Sequence, residues 1–384
     1  MDFDADFKAA LEAQNTGRTA EAEQAYRAIV AETDHLASLH NLGVILERTG
    51  RAEEAAAVYG RAARAAPDDP RPVRTLAAHY RIMRDFAAAE PLYRRVLELT
   101  PGDDDAAVEF AMVLLAQGRF AEGWALNERR PPRQQFLKHD LSFPEWRGEP
   151  LAGKRLFVWR EQGFGDQIMM ARFLTRLGAA QITYAGPAAL QRLFEQLGVS
   201  FMPFGQGRFS VPESDYWCLP QSLPARLGAT PQTLPQPAYF SGRPAASGAR
   251  IGVVWKGEAA NANNRFRSLP PEQAQRLLAL PGAVSLDPAD SGAADFQATA
   301  DLIAGLDLVI SVDTATAHLA GAMGRPVWVM LARHANDWQW PREGASPWYP
   351  SARLFAQARA GDWAPVVDAV CEAARREPEG AGSS

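Results

Sequence analysis

A chain of 384 residues with 47% apolar residues and 22% charged residues can fill real cores, and at about 150 residues per domain it has room for two or three of them, which excludes wholesale disorder. The 40 Lys and Arg against 45 Asp and Glu give a formal charge of −5, so there is no basic field to hold nucleic acid or an anionic membrane surface. Two cysteines, Cys218 and Cys371, are too few for a disulfide framework or a structural zinc site. They point to a reducing compartment. The acidic start MDFDADFKAA lacks the cationic and apolar regions of a signal peptide, and no apolar run reaches the roughly 20 residues that span a bilayer. The expected location is cytoplasmic.

The first 130 residues repeat. Tyr26, Tyr59 and Tyr93 stand 33 and 34 residues apart, and Gly17 and Gly50 and then Pro67 and Pro101 keep the same step. A period near 34, with a small residue at a helix crossing and Pro after the second helix, is the tetratricopeptide pattern. In the clearest unit, 36–69, Gly43 and Ala55 let two helices approach, Tyr59 fills the space between them and Pro67 ends the second. Copies flank it at 2–34 and 70–103, and 104–130 reads as a fourth, altered one. Stacked units predict a concave groove lined by their first helices. On this register His40, Asn41, Val44 and Glu47 face it from one unit, and Arg71, Arg74 and Arg81 from the next. The arginines read either as an electropositive stripe for an extended or acidic segment of a partner, or as a solvated helix face.

Prolines and glycines break helical continuity over 131–154, which reads as a linker with Phe143 and Trp146 pinning it to a neighbour. Short apolar runs then alternate with helical stretches, the mark of parallel sheets. Strands are predicted at 156–159, 181–185, 201–204, 215–219, 250–255, 306–312 and 326–331. Helices are predicted at 166–177, 187–197, 314–323 and 363–376. A Pro-, Gly- and Ser-rich stretch around 221–247 separates a short first half (155–247) from a second (248–376), and the polar end 377–384 is expected to be disordered. Two tandem Rossmann-like halves predict an α/β GT-B fold behind an α-helical tetratricopeptide solenoid, with the ligand outside the carboxyl ends of the strands.

Three segments carry chemistry. In Glu161-Gln162-Gly163-Phe164-Gly165-Asp166-Gln167, the glycines allow a tight turn and a close backbone approach. Asp166 reads as a helix cap or as a general base for an acceptor hydroxyl. Lys256, at the tip of the first strand of the second half, with Arg265 and Arg267 downstream, suggests a cationic clamp for a diphosphate, against the alternative of a snorkelling surface lysine. Asp313-Thr314-Ala315-Thr316-Ala317-His318 joins a strand to an Ala-rich helix whose first N–H groups and threonine hydroxyls make an anion site. Asp313 reads as a loop-orienting group or a ligand, and His318 as a phosphate ligand or a packed side chain. The close carboxylates Asp103-Asp104-Asp105 lie in the repeats, so these cations and the helix start would replace a metal. The aromatic run around Trp338, Trp340, Trp348 and Tyr349 reads as a stacking surface or as the seal of one domain edge.

The segments EQGFGDQIMMARFL, GVVWKG with FRSLP, ISVDTATAHLAGAMGRPVWVML, DWQW and SPWYPSARLF together resemble bacterial tetratricopeptide-repeat proteins whose C-terminal domain is similar to ADP-heptose:lipopolysaccharide heptosyltransferases, glycosyltransferase family nine. The resemblance covers essentially the whole chain. It implies inverting, metal-independent transfer from a nucleotide-sugar co-substrate with no further cofactor. Asp166 then matches the base, Lys256 the phosphate-binding lysine, and Asp313-Thr314 the donor loop. Proteins of this type include flagellin-modifying enzymes, so a protein or peptide acceptor held by the repeats is expected. The first half is short for a heptosyltransferase, which argues against a lipopolysaccharide acceptor, and Glu258 sets an acid beside the clamp. The rival readings are a repeat scaffold with a degenerate GT-B domain, and a glycan- or lipopolysaccharide-building enzyme whose repeats serve complex assembly.

Overall fold

The computed structural model describes residues 3–139, 141–204, 210–244, 248, 250–258, 264–333, 338–341 and 344–376. The chain divides into two compact units, Met1–Val113 and Leu114–Ser384. The predicted tail 377–384 lies outside the described residues, as do 245–247 of the expected boundary and 334–337 of the aromatic run.

The first unit is a run of antiparallel helices: α1 (Phe3–Asn15), α2 (Thr19–Glu32), α3 (Leu36–Arg48), α4 (Ala52–Ala65), α5 (Pro70–Met83), α6 (Phe86–Leu99) and the start of α7 (Asp104–Ala116). The tyrosine period is a packing period. Tyr26, Tyr59 and Tyr93 are at most 2% exposed, and the Tyr59 ring lies so close to α3 that a Cβ on Gly43 would come within 2.7 Å of its Cδ1. Ala10, Ala77 and Ala111 stand at the corresponding crossings and are also buried. The turns repeat as well. Gly17, Gly50 and Gly118 adopt positive φ, and at the equivalent third turn Arg84 adopts φ 60 without the freedom of a glycine. Asp69 and Asp85 cap α5 and α6 by accepting from Arg71 N and Ala88 N.

The second unit begins earlier than residue 130. Phe120 and Trp124 of α8 (Phe120–Asn127) are buried in one core with Trp146 and Trp348, so the second helix of the fourth hairpin belongs to the α/β unit. The expected linker is packed too. It forms α9 (Pro131–Phe136), and Trp146 N donates to Trp217 O (2.8 Å) while Trp217 N donates to Pro144 O (3.0 Å). Phe143 and Trp146 are its buried pins.

Two parallel sheets follow. The first has the order β3-β2-β1-β4, from β1 (Arg155–Trp159), β2 (Gln181–Gly186), β3 (Ser200–Pro203) and β4 (Tyr216–Cys218), with α10 (Phe164–Ala171), α11 (Gln191–Glu195) and α12 (Leu223–Arg226). The second has the order β6-β5-β7-β8-β9, from β5 (Ile251–Val254), β6 (Ala283–Ser285), β7 (Leu308–Val312), β8 (Val327–Leu331) and β9 (Ala352–Ala356). Its helices are α13 (Asn264–Arg267), α14 (Pro271–Leu278), α15 (Pro288–Ser291), α16 (Phe296–Ala304), α17 (Ala315–Ala322) and α18 (Ala364–Arg376). All five residues of β8 are buried, the continuous apolar run that a strand covered on both faces requires. The fold is a tetratricopeptide solenoid followed by a GT-B-like pair of Rossmann-like halves.

The halves pack through α10 against α17 and α11 against α16, and one buried core holds Leu156 and Ile168 of the first with Val309 and Leu319 of the second. Arg172, fully buried at the end of α10, donates to Met169 O, Pro235 O, Tyr239 Oη and Trp348 O, and its guanidinium lies about 5 Å from the ring centres of Trp348 and Tyr349. It ties the first half to the second with backbone carbonyls and rings. No helix among the described residues is long and apolar enough to cross a membrane.

Candidate active site

The turn after β1 is built before α10 begins. Glu161 is buried, and its carboxylate accepts from Gln221 N (2.8 Å) and from Arg130 Nε and Nη2 (2.8 Å each), a two-pronged charge-assisted pair. Gln162 sits at φ 60, a left-handed conformation that costs a non-glycine residue about 1–3 kcal/mol. Gln221 Nε2 donates to its side chain (3.3 Å), and Gln167 Nε2 donates to its carbonyl (3.3 Å). Gln167 is itself 1% exposed and accepts from Tyr184 Oη, so it braces the turn from inside. Asp166, half-buried, accepts from Gly163 N through Oδ2 (3.2 Å), which caps α10 and fixes the direction of its carboxyl group.

Gly165 meets the second half directly. A Cβ there would come 2.7 Å from His318 Cδ2, 3.3 Å from His318 Nε2 and 3.6 Å from Ala315 Cα. The absence of a side chain at 165 lets the start of α10 rest on the first turn of α17. In the sequence these segments are about 150 residues apart.

On the second half, β5 and β7 are paired with Val254 opposite Ser311, so Lys256, two residues past the end of β5, and Asp313, one past the end of β7, follow adjacent strands. Asp313 is 5% exposed and accepts from Trp340 Nε1 (2.9 Å); it holds the loop, while Thr314 takes the N-cap position of α17 without a side-chain cap bond. Thr314 Oγ1 lies 3.0 Å from Ser311 Oγ. The first intrahelical bond runs from His318 N to Thr314 O, which leaves the amides of residues 315–317 ahead of it, and Thr314, Ala315 and Thr316 are half-buried. This is a helix start with donors available to an anion.

His318 is placed in internal packing. It is 4% exposed, its Nδ1 lies 3.1 Å from Tyr349 Oη, its Nε2 lies 3.7 Å from Asp313 Oδ1, and its ring centre is 5.2 Å from that of Trp340. Burial, with the charges of Arg172 and Arg267, pushes its pKa down to about 3, so the ring is neutral. Trp340, Trp348 and Tyr349 are at most 1% exposed and seal the domain edge.

The cations divide. Lys256 is exposed and pairs with Asp287 Oδ2 (2.8 Å), a contact that holds the lysine above and the aspartate below its ordinary pKa. Arg267 lies over Gly257, where a Cβ would come 2.8 Å from its Nε, and this buried Nε has no hydrogen-bond partner among the described residues. Arg265 lies over the Phe266 ring at 4.6 Å.

In the repeats a groove of about 900 Å³ is lined by Phe7, Leu36, His40, Asn41, Tyr59 and Arg71, among others. Asn41 donates to Tyr26 Oη (3.0 Å), and the exposed Arg71 pairs with Asp69. The expected arginine stripe is corrected at its other two members. Arg74 is tied to Asp103 and Glu109, and the Nε of Arg81 donates to Tyr93 Oη, so both have partners within the solenoid. Phe7 and Leu11, from the first copy, are groove residues that the sequence register did not pick out.

Residues 7–70 and 81–136 match tetratricopeptide repeat families, and residues 250–358 match glycosyltransferase family 9 (heptosyltransferase). Asp166 lies outside the matched segments. Protein FlbA of Caulobacter vibrioides is 27% identical over 423 residues, spanning 93% of this chain and 70% of FlbA. Among solved structures, the crystal structure of MamA protein shares 15% identity at a TM-score of 0.32 over 35% of this chain and 73% of that one. YrrB, described as a TPR protein with an unusual peptide-binding site, shares 17% at a TM-score of 0.31 over 34% of this chain and 68% of that one.

Proposed function

We propose that this chain, a glycosyltransferase with a family 9 (heptosyltransferase) domain behind tetratricopeptide repeats, moves a sugar from a nucleotide-sugar to a protein or peptide acceptor held by the repeats, with inversion and without a metal. The observation that carries this reading is the seating of Gly165 on His318 and Ala315, which sets the start of α10 beside the start of α17. This supports placing the Asp166 carboxylate and the helix start that would take the anion on the two sides of one junction. In the proposed step, Asp166 takes the proton of the acceptor hydroxyl as its oxygen attacks the anomeric carbon from the face opposite the leaving group. The bond from that carbon to the diphosphate oxygen breaks, and the new negative charge falls on the N–H groups at the start of α17, on Arg267 and on Lys256. The unsatisfied Nε of Arg267 supports the phosphate assignment, since a buried donor without a partner carries a cost that a bound phosphate oxygen removes.

An acceptor docked in the repeat groove would meet aromatic and aliphatic side chains together with Asn41 and Arg71. A flagellin-like protein is the acceptor class suggested by the resemblance. The cytoplasmic assignment is supported by Cys218 and Cys371, both free and buried. The test is Asp166→Asn. Nucleoside diphosphate affinity by calorimetry is expected to stay within about twofold while transfer falls by about 10²–10⁴. Turnover close to wild type would remove Asp166 from the base role.

A further inference from the structure

We infer that the buried pair of Arg130 and Glu161 is a positioning device for the turn between β1 and α10, so that an arginine from the repeat-matched segment 81–136 sets the aim of the Asp166 carboxylate. The inference rests on the reading of Asp166 as the base and adds two residues that act through it without touching substrate. Both lie away from solvent, Arg130 at 1% and Glu161 at 6% exposed.

Arg130 is fixed before it reaches the turn. Its Nη1 donates to Asn127 O (3.1 Å) and to Glu128 Oε1 (3.1 Å), which anchors it at the end of α8. Its Nη2 donates to Ser222 Oγ (2.8 Å), while Nε and Nη2 together grip the Glu161 carboxylate (2.8 Å each). Glu161 Oε1 also accepts from Gln221 N (2.8 Å), and the side chain of that same Gln221 donates to Gln162 Oε1 (3.3 Å). One carboxylate thus sets both the backbone that enters Gln162 and, through Gln221, the Gln162 side chain. A non-glycine residue at φ 60 persists only where its surroundings over-determine it in this way. The next amide, Gly163 N, is then aimed at Asp166 Oδ2 (3.2 Å). An unbroken line of contacts runs from the end of α8 to the proposed base.

A buried ion pair contributes little net stability beside a well-packed apolar pair, because both charges lose their water. What the guanidinium adds is direction, since two parallel N–H bonds hold both partners in one plane. The molecule carries its own control. Arg133 and Glu145 are similarly buried, at 6% and 8% exposed, and make the same two-pronged contact (3.2 and 2.7 Å). That pair ties α9 to the segment before β1, and Arg133 bonds otherwise to Glu128. Two pairs of one chemistry therefore differ in whether they reach the turn.

The experiment compares Arg130→Lys, Glu161→Asp and Arg133→Lys in the full chain. Lysine keeps the charge that Glu161 needs and loses the fork, and aspartate keeps the charge but draws the carboxylate back by one methylene. Each variant is read by its unfolding midpoint, by kcat and KM for release of nucleoside diphosphate from ADP-, UDP- and GDP-sugars, and by amide exchange over 161–167 measured by mass spectrometry. In Arg130→Lys and Glu161→Asp, kcat is expected to fall about ten- to hundredfold with the donor KM within about twofold, and exchange over the turn to quicken. Arg133→Lys is expected to lower the midpoint as much, with kcat and turn exchange as in the wild type. Turnover that falls with the midpoint alike in all three variants, or wild-type turnover and turn exchange in Arg130→Lys, would overturn the inference. Adding Glu161→Asp to Asp166→Asn should bring no further loss of turnover, and a full additional loss would show that the pair does not act through Asp166. Faster turn exchange in Arg130→Lys beside wild-type turnover in Asp166→Asn would keep the positioning of the turn and refute the base reading instead.

Discussion

Gly165→Ala tests the junction on which the proposed catalytic arrangement depends. The added methyl would lie 2.7 Å from His318 Cδ2 and 3.3 Å from its Nε2, while carbon atoms pack at about 3.5–4.0 Å, so about 1 Å of separation has to be found. His318 is poorly able to give way, because it is buried between the Tyr349 hydroxyl and the Trp340 ring. The start of α10 therefore moves. Overpacking of this kind costs about 1–3 kcal/mol, and a displacement of about 1 Å between reacting groups costs about 10² in rate. The expected result is a modest drop in the unfolding midpoint of the α/β unit, nucleoside diphosphate affinity within about threefold, and turnover down about a hundredfold, read as release of nucleoside diphosphate in the presence of acceptor. A double variant, Gly165→Ala with His318→Ala, supplies the missing space and should recover part of the lost stability. Wild-type turnover in Gly165→Ala, or an equal loss of stability when His318 is already truncated, would refute the reasoning.

Three further expectations follow from particular contacts. His318 is neutral in the folded state with its pKa near 3 against an ordinary value of about 6.5, so the unfolded chain binds the extra proton first, and stability is lost as pH falls from about 6.5 toward 3. Replacing it by Asn should flatten that part of the stability–pH curve, and an unchanged slope in chemical denaturation would contradict its buried neutral state. Arg172→Met should cost about 2–4 kcal/mol by stripping Trp348 O, Pro235 O and Tyr239 Oη of their charged donor, with loss of protease resistance in the α/β unit as the readout. A variant as resistant as wild type would show that the halves are held without it. Gly43→Ala should destabilise the repeats by about 1–3 kcal/mol through the Tyr59 ring and leave nucleotide binding untouched, and weakened nucleotide binding would contradict the separation of the two units.

The repeat period was legible because each copy spends the same residue types on the same job: a tyrosine between helices, a small residue beneath it, a glycine in the turn. Arg84 shows where the signal fails, since a non-glycine residue in a left-handed turn leaves no mark in composition. The fate of Arg74 was partly readable, because Asp103 and Glu109 lie 29 and 35 residues on, about one repeat away and hence stacked beside it. Strands β6 and β9 were missed: three residues give β6 too little pattern, and ARLFA is no clearer than the loop around it. The segment 131–154 looked like a linker from its prolines. Its anchors are contacts over long chain distances, the ion pair of Arg226 with Glu145 and the backbone bond of Trp146 with Trp217, and separations of that kind are invisible to local reading. His318 illustrates the same limit at the site. A histidine one turn into a helix that follows a strand is indistinguishable by motif from a core residue until Tyr349, 31 residues on, supplies its partner. The convergence of GFGD with DTATAH was legible only as fold logic, and Gly165 supplies its physical cause.

The donor site and its facing carboxylate are tested most directly by a crystal structure of the protein with a nucleoside diphosphate bound. The expected complex has a terminal phosphate on the backbone amides of Ala315 and Thr316, an Arg267 Nε–phosphate hydrogen bond, and the Asp166 carboxylate facing the space beside it. A diphosphate bound away from α17, or an Asp166 carboxylate with no open path to that phosphate, would contradict it.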